Sequence, residues 1–195
     1  GVDQLRYYLS KEVSLGNDGS ISLKNLTNCI NNDLANNYGN LCQRVFAYIN
    51  KNCNSKIPSC NKLEEEDKKL NNQIIESLSE LRSLMDNQEL NQYLKKVINF
   101  SFNANKYFND QKPWSLKEKN PERMNTILYV ILNQIRSISV LLNPIIPKAT
   151  EKVLYILSVE KTDIKIDSLK NTKILKIGTI LKKSDILFKK IENDN

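Results

Sequence analysis

The sequence predicts an all-α fold, an antiparallel helical bundle followed by an extended C-terminal tail. Three observations carry that prediction. Apolar residues recur at three- and four-residue spacing over most of the chain, the period of a helix with one buried face. Glycine is sparse, 5 in 195 residues, so the long periodic runs have few natural breaks. Capping and proline signals stand where those runs begin and end.

Each element follows in order. Asp3 is placed to cap a short helix, Gln4 to Glu12, with Leu5, Tyr8 and Leu9 on its apolar face. The turn cluster Ser14-Leu15-Gly16-Asn17-Asp18-Gly19 ends it. Ser20 or Ser22 opens a long helix to about Lys51, its buried side running from Leu23, Leu26 and Ile30 through Leu34, Leu41 and Val45 to Ile49. Residues 53–61 form a loop around Pro58. A third helix spans about 63–85, with Glu64, Glu65 and Glu66 in its first turn, where the helix dipole favours negative charge. A fourth runs from about 88 to 108, carrying Leu90, Leu94, Val97, Ile98, Phe102 and Tyr107, and Pro113-Trp114 breaks the pattern. Asn120 caps a fifth helix that begins at Pro121, a tolerated first position, and reaches Leu142. Pro144 and Pro147 punctuate the start of a sixth, 148–157. Beyond Ser158, Asp163-Ile164-Lys165-Ile166-Asp167 alternates like a short strand, and 175–191 reads as extended, basic and poorly packed, a tail that has to dock onto something.

Composition narrows the function. An apolar content of 40% and a charged content of 26% are those of a soluble globular domain. The longest apolar stretch, 127–147, is interrupted by Asn133, Gln134 and Arg136 and is not a clean membrane span. No secretory leader is read at the N-terminus, and a start at Gly1-Val2-Asp3 suggests a piece of a longer chain. A net charge of +7 and a pI near 9.1 point to a polyanionic partner, RNA first. Heavy use of Asn, Lys and Ile, with much lysine after Val159, inflates that basic character and keeps charge alone from deciding the matter. Cys29, Cys42, Cys53 and Cys60 form no C-x₂-C pair and there is no histidine, so they read as free thiols and not as zinc ligands. The same lack of histidine removes every histidine base, dyad and metal site, and no glycine-rich phosphate loop occurs. The acidic run Glu64 to Asp67 reads as a helix-dipole cluster. Nothing in the chain looks catalytic.

Two features could carry binding. Asn36, Asn40 and Arg44 fall at i, i+4 and i+8 of the long helix, a stripe about 12 Å long. Asparagine and arginine both make two-pronged hydrogen bonds to a base edge. Gly39 costs about 1 kcal/mol in a helix relative to alanine, so something has to approach the backbone there, another helix or a nucleotide. Taken alone, the stripe also reads as a polar solvent face in an asparagine-rich chain. Trp114, the sole tryptophan, follows Pro113 just past a helix end, where it can stack on an unpaired base or pack under the loop.

Together these segments resemble methionyl-tRNA synthetase, nearly end to end. Gly1-Val2-Asp3-Gln4-Leu5-Arg6-Tyr7-Tyr8-Leu9 is similar to the family's G-x-D-x-L-R-Y-Y-L segment. Asn31 through Arg44 is similar to its N-x-D-L-A-N-x-x-G-N-L-x-x-R helix, and Lys112-Pro113-Trp114 to its x-P-W turn. Leu141-Leu142-Asn143-Pro144-Ile145-Ile146-Pro147 is similar to an L-x-P-x-x-P step shared with related class I synthetases. Leu187-Phe188-Lys189-Lys190-Ile191 is a variant of the terminal L-F-P-R-I. The resemblance implies the anticodon-binding domain of a class I synthetase, in which Asn36, Asn40, Arg44, Pro113 and Trp114 engage the CAU anticodon of tRNA(Met). It divides the chain into 1–20, a remnant of the linker after the catalytic domain, 21–158, the anticodon-binding bundle, and 159–195, a tail expected to dock on the catalytic part.

The family's H-I-G-H-like and K-M-S-K-S motifs and its zinc-knuckle cysteines are missing. No cofactor is therefore expected in this chain, and ATP, Mg²⁺ and methionine are expected for the full-length, cytoplasmic ligase. The expected partners are tRNA(Met) and the catalytic domain of the same polypeptide, with neither DNA nor membrane. Leu5, Tyr8 and Leu187-Phe188 are expected to leave an apolar surface for that domain. Two other readings stand beside this one: the same domain of a sister synthetase for leucine, isoleucine, valine or cysteine, and a free-standing helical interaction module without RNA binding.

Overall fold

A computed structural model describes residues 1–12, 22–183 and 185–192. The turn cluster expected at 14–19 lies outside them, as does Ser20. Helices α1 (Val2–Glu12), α2 (Leu23–Cys29), α3 (Asn40–Asn52), α4 (Glu65–Asp86), α5 (Leu90–Gln111), α6 (Pro121–Leu142) and α7 (Pro147–Ile156) build an all-α bundle. There is no strand among the described residues. α6 is its axis, packed against α3, α4, α5 and α7 and buried at almost every position from Thr126 to Leu142. A helix with apolar residues on every face belongs in such a place, and its buried polar residues need partners there. It is long and apolar enough to cross a membrane, yet 94% of that apolar window is buried inside the bundle.

The helix ends follow the sequence signals closely. Ser22 accepts from the Asn25 N–H at 3.4 Å and Asn120 from the Arg123 N–H at 3.1 Å, each capping the helix after it. Asp3 differs. It lies inside α1, and its carboxylate accepts from the Ala149 N–H at 2.8 Å, so it caps α7 across the fold. Arg6 completes that clamp, donating to the Ile145 and Pro144 carbonyls at 2.8 Å each.

The long helix expected from Ser22 to Lys51 is one rod with an unexpected middle. Between α2 and α3, residues Ile30–Gly39 are wound as a π-helix. Widening leaves carbonyls misaligned, and α5 supplies the partners. Asn105 Nδ2 donates to the Asn37 carbonyl at 3.2 Å and to Asn37 Oδ1 at 2.9 Å, while Ser101 Oγ donates to the same Oδ1 at 2.9 Å. On the opposite side Tyr7 donates to Asp33 at 2.8 Å and Lys11 pairs with it at 2.5 Å, tying α1 to the π stretch.

The acidic cluster at α4 also departs from expectation. Glu64–Glu66 are exposed, but Asp67 is fully buried, held by Nη1 and Nη2 of Arg123, by the Tyr107 hydroxyl and by the Glu64 N–H. Burial alone raises its carboxyl, but the hydrogen bonds from Arg123 and Tyr107 outweigh that and hold it below the usual carboxylate range.

The tail is better packed than its sequence suggests. Asp163–Asp167 is not a strand. The chain makes two 3₁₀ turns, Lys161–Asp163 and Ile166–Lys170. The Ser168 hydroxyl donates to the Asp163 carbonyl at 2.7 Å and accepts from buried Arg136 at 3.3 Å, which fixes the turns. Arg136 also meets Asn133, Ser137 and the Asn171 carbonyl, all neutral, and burial pulls its guanidinium down to about 10. Further on, a turn at Gly178, with φ of 81°, lets residues 178–181 hydrogen-bond to the loop at 55–57. Leu169, Leu175, Leu181 and Phe188 are buried. Tyr8 and Phe188, expected at an apolar surface, are thus covered by the chain itself, while Leu5 remains 46% exposed.

Candidate nucleic-acid interface

The expected site residues lie where the π stretch and α3 pass the end of α5. Lys112 ends α5 in the left-handed conformation, φ 44° and ψ 57°, and Pro113 turns the chain into a short 3₁₀ segment, Pro113–Ser115. Ser115 N–H and hydroxyl both donate to the Lys112 carbonyl, at 2.9 and 2.8 Å. The turn buries Pro113 and sends Trp114 outward, 45% exposed.

Arg44 and Trp114 meet through a residue the sequence did not single out. The Arg44 guanidinium lies 5.2 Å from the centroid of the buried Phe108 ring, a cation–π contact. Phe108 meets Trp114 edge-on, with centroids 5.7 Å apart and planes at 82°. Asn109 accepts from Arg44 Nη2 at 2.7 Å. Arg44, Phe108, Asn109 and Trp114 thus form one cluster carried by two helices and a turn. The signal for it was local, since Tyr107-Phe108-Asn109 stands one helical turn before Pro113-Trp114, but nothing in the sequence pairs residues 44 and 109.

Asn40 is half-buried one turn before Arg44, and Asn36 is exposed a further turn back in the π stretch. Neither side chain hydrogen-bonds to another described residue. Among the described residues, no hydrogen bond joins Asn36 to the Arg44 cluster. The π winding does alter the stripe. Four residues overshoot an α-turn by about 40°, whereas four residues of a helix bonded i to i+5 fall short of a turn. The two drifts oppose, so Asn36, Asn40 and Arg44 keep nearer one line than an ideal α-helix would hold them.

Gly39 is explained by protein and not by a ligand. A Cβ there would lie 2.8 Å from the Leu34 carbonyl oxygen, which the π winding brings in, and 3.2 Å from the Phe188 ring of the tail. Tyr38, beside it, also faces Phe188 at 6.4 Å between centroids. No group of three or more His, Cys, Asp or Glu that could hold a metal occurs among the described residues, and all four cysteines are free. Burial pushes the Cys29 thiol up to about 12 and Cys42 higher still, so both stay protonated and inert.

Comparison with known proteins shows the family. Residues 57–195 match the family described as the anticodon binding domain of methionyl tRNA ligase, and residues 1–46 match the class I tRNA synthetases (M) family. The methionine–tRNA ligase of Brucella suis is 42% identical over 82% of this chain and that of Thermotoga maritima 38% over 98%, the matches covering 31% and 30% of those proteins. The chain thus spans under a third of those relatives. Among solved structures, the free-state methionyl-tRNA synthetase of Mycobacterium tuberculosis superposes with a TM-score of 0.92 at 31% identity, over all of this chain and 40% of that one. The same enzyme in complex with methionyl-adenylate gives 0.90 at 32%, over 96% and 37%. The chain belongs to the family of anticodon-binding domains of methionyl-tRNA ligases.

Proposed function

We propose that this domain grips tRNA(Met) by its CAU anticodon, so that the full-length ligase attaches methionine at the acceptor end in the cytoplasm. The observation that carries the proposal is the Arg44–Phe108–Trp114 cluster, an exposed indole held edge-on by a buried ring that also braces an arginine. Each part has work to do there. Trp114 offers a flat apolar face to an unpaired base. Arg44 has five donors and uses one on Asn109, leaving others for a base edge. Asn40 and Asn36 present unengaged amides along the same rod.

ATP, Mg²⁺ and methionine belong, on this reading, to the catalytic part of the polypeptide. That part is proposed to dock where apolar side chains stay exposed: Val2, Leu5 and Leu9 on α1, and Ile177, Ile180 and Ile186 on the outer side of the tail. The tail would then serve two faces, the bundle within and the catalytic part without.

The test is a pair of titrations, with a CAU stem-loop and with one altered at the first anticodon base, alongside thermal melts. Trp114→Ala is expected to cost about 1–3 kcal/mol of binding, roughly a 5- to 150-fold loss of affinity, with its melt unchanged. Arg44→Ala is expected to weaken binding similarly and to shrink the preference between the two stem-loops. Normal binding by folded Trp114→Ala, or an unchanged preference in Arg44→Ala, removes the respective role.

A further inference from the structure

A cavity of about 560 Å³ opens between α4, α6 and residues 172–177 of the tail, away from the Arg44 cluster and within the size range of small-ligand sites. Its inner wall includes two buried asparagines, Asn71 and Asn133, which are 8% and 2% exposed. Both have their oxygens engaged from behind. Arg136 Nε donates to Asn133 Oδ1 at 3.1 Å, and a guanidinium can only donate, so the asparagine must turn its oxygen inward and its NH₂ away. Gln134 Nε2 donates to Asn71 Oδ1 at 3.1 Å in the same sense. Neither NH₂ hydrogen-bonds to another described residue, and neither is sealed from solvent. What the two asparagines offer the cavity is donors.

The charge agrees. Arg136, directly behind Asn133, is fully buried, and its four hydrogen-bond acceptors are all neutral. The Asp163 carboxylate acts on it without hydrogen-bonding to it, and burial still outweighs that attraction, so a further nearby anion would relieve the cation. Lys173 and Lys176 stand exposed at the rim, and no Asp or Glu lines the cavity. The remaining walls are apolar, chiefly Leu63, Val130, Ile177 and the Tyr129 ring.

We infer that this cavity binds a small phosphate monoester with a flat or apolar body, the chemistry of a nucleoside monophosphate. The two amide NH₂ groups and the lysines take the phosphate, whose two negative charges suit a site backed by the buried Arg136 cation, and the apolar walls take the body. None of these residues belongs to the proposed anticodon site, so the two readings stand or fall apart.

The test is calorimetric or NMR titration of the protein with AMP, adenosine and inorganic phosphate. AMP is expected to bind about tenfold or more tighter than either of the others, because each lacks half of the recognised chemistry. Asn133→Asp is the decisive variant. It keeps the oxygen that Arg136 needs and supplies a counter-charge, but it removes the NH₂ and repels an anion. It is expected to melt at or above the parent temperature while losing AMP binding at least tenfold. Lys173→Ala with Lys176→Ala, both on the surface, is expected to weaken AMP severalfold without moving the melt, and this pair decides the matter if Asn133→Asp does not fold. AMP binding no tighter than adenosine, or undiminished in either variant, overturns the inference.

Discussion

At the residue scale, two positions show how far local chemistry was hidden from the sequence. Asp67 stood in a run of four acids and read as one of a dipole cluster, yet it is the one that is buried. Replacing it with asparagine keeps the shape but leaves Arg123, whose side chain is 10% exposed, without its main counter-charge. Breaking such a pair costs about 3–5 kcal/mol. The pH dependence follows from its lowered pKa. Stability gained from a depressed carboxyl is present above the unfolded value near 3.8 and is lost as pH falls through the folded one. Denaturant titrations are thus expected to show a wide gap between parent and Asp67→Asn at neutral pH that closes below about pH 4; a gap independent of pH would refute the assignment. Gly39 is the second position. Alanine there gains about 1 kcal/mol of helix propensity but drives its Cβ into the Leu34 carbonyl, and such overpacking costs about 1–3 kcal/mol. A lowered melting temperature is expected, which shortening Phe188 would not restore, since the backbone contact persists. An alanine variant as stable as the parent would show that the π winding relaxes freely.

At the scale of elements, the π stretch Ile30–Gly39 carries Asn36 and depends on α5 for its stability. Asn105→Ala removes the donor to the Asn37 carbonyl and side chain. An unsatisfied buried group costs about 1–3 kcal/mol, so amide exchange at 30–39 is expected to quicken more than exchange in α4 or α6. Uniform quickening would mean that the stretch does not open as a unit. The helices themselves were legible because burial of one face imposes a period on the sequence, and because Ser22, Asn120 and Pro121 mark ends chemically. The π winding was not, since a change from i+4 to i+5 bonding leaves that apolar pattern almost intact and only the glycine hinted at it. Asp163–Asp167 misled for a related reason: alternation suits a strand, but the Ser168 hydroxyl, held by Arg136, satisfies the Asp163 carbonyl and the chain makes two 3₁₀ turns. Of the candidate site, Arg44 and Trp114 were legible through resemblance. Phe108 and Asn109 were not, because their roles rest on contacts some 65 residues apart, which no local pattern records.

At the scale of the molecule, the segments that resemble the synthetase family turn out to be the ones that hold the fold together. Asp3 and Arg6 clamp residues 144–149, Tyr7 reaches Asp33, and Phe188 seats against Tyr38 and Gly39. Ile191 and the Asn31 side chain exchange two hydrogen bonds of 2.9 Å, closing the tail onto the start of the π stretch. Both α1 and the tail are therefore fastened to the element that carries Asn36, so the bundle can be tested for stem-loop binding on its own. Methionine activation asks for something else. It needs a cradle for a triphosphate and groups that stabilise charge on it in the transition state, and this sequence has neither a glycine-rich phosphate loop nor the family's two signature motifs. The purified chain is accordingly expected to bind the CAU stem-loop while showing no methionine-dependent exchange of pyrophosphate into ATP. The two measurements belong on one preparation, because stem-loop binding proves the protein folded and makes a null exchange meaningful. Exchange clearly above background, abolished by omitting methionine, would show that these 195 residues contain an adenylate-forming site, and the division of labour proposed for the full-length ligase would have to be abandoned.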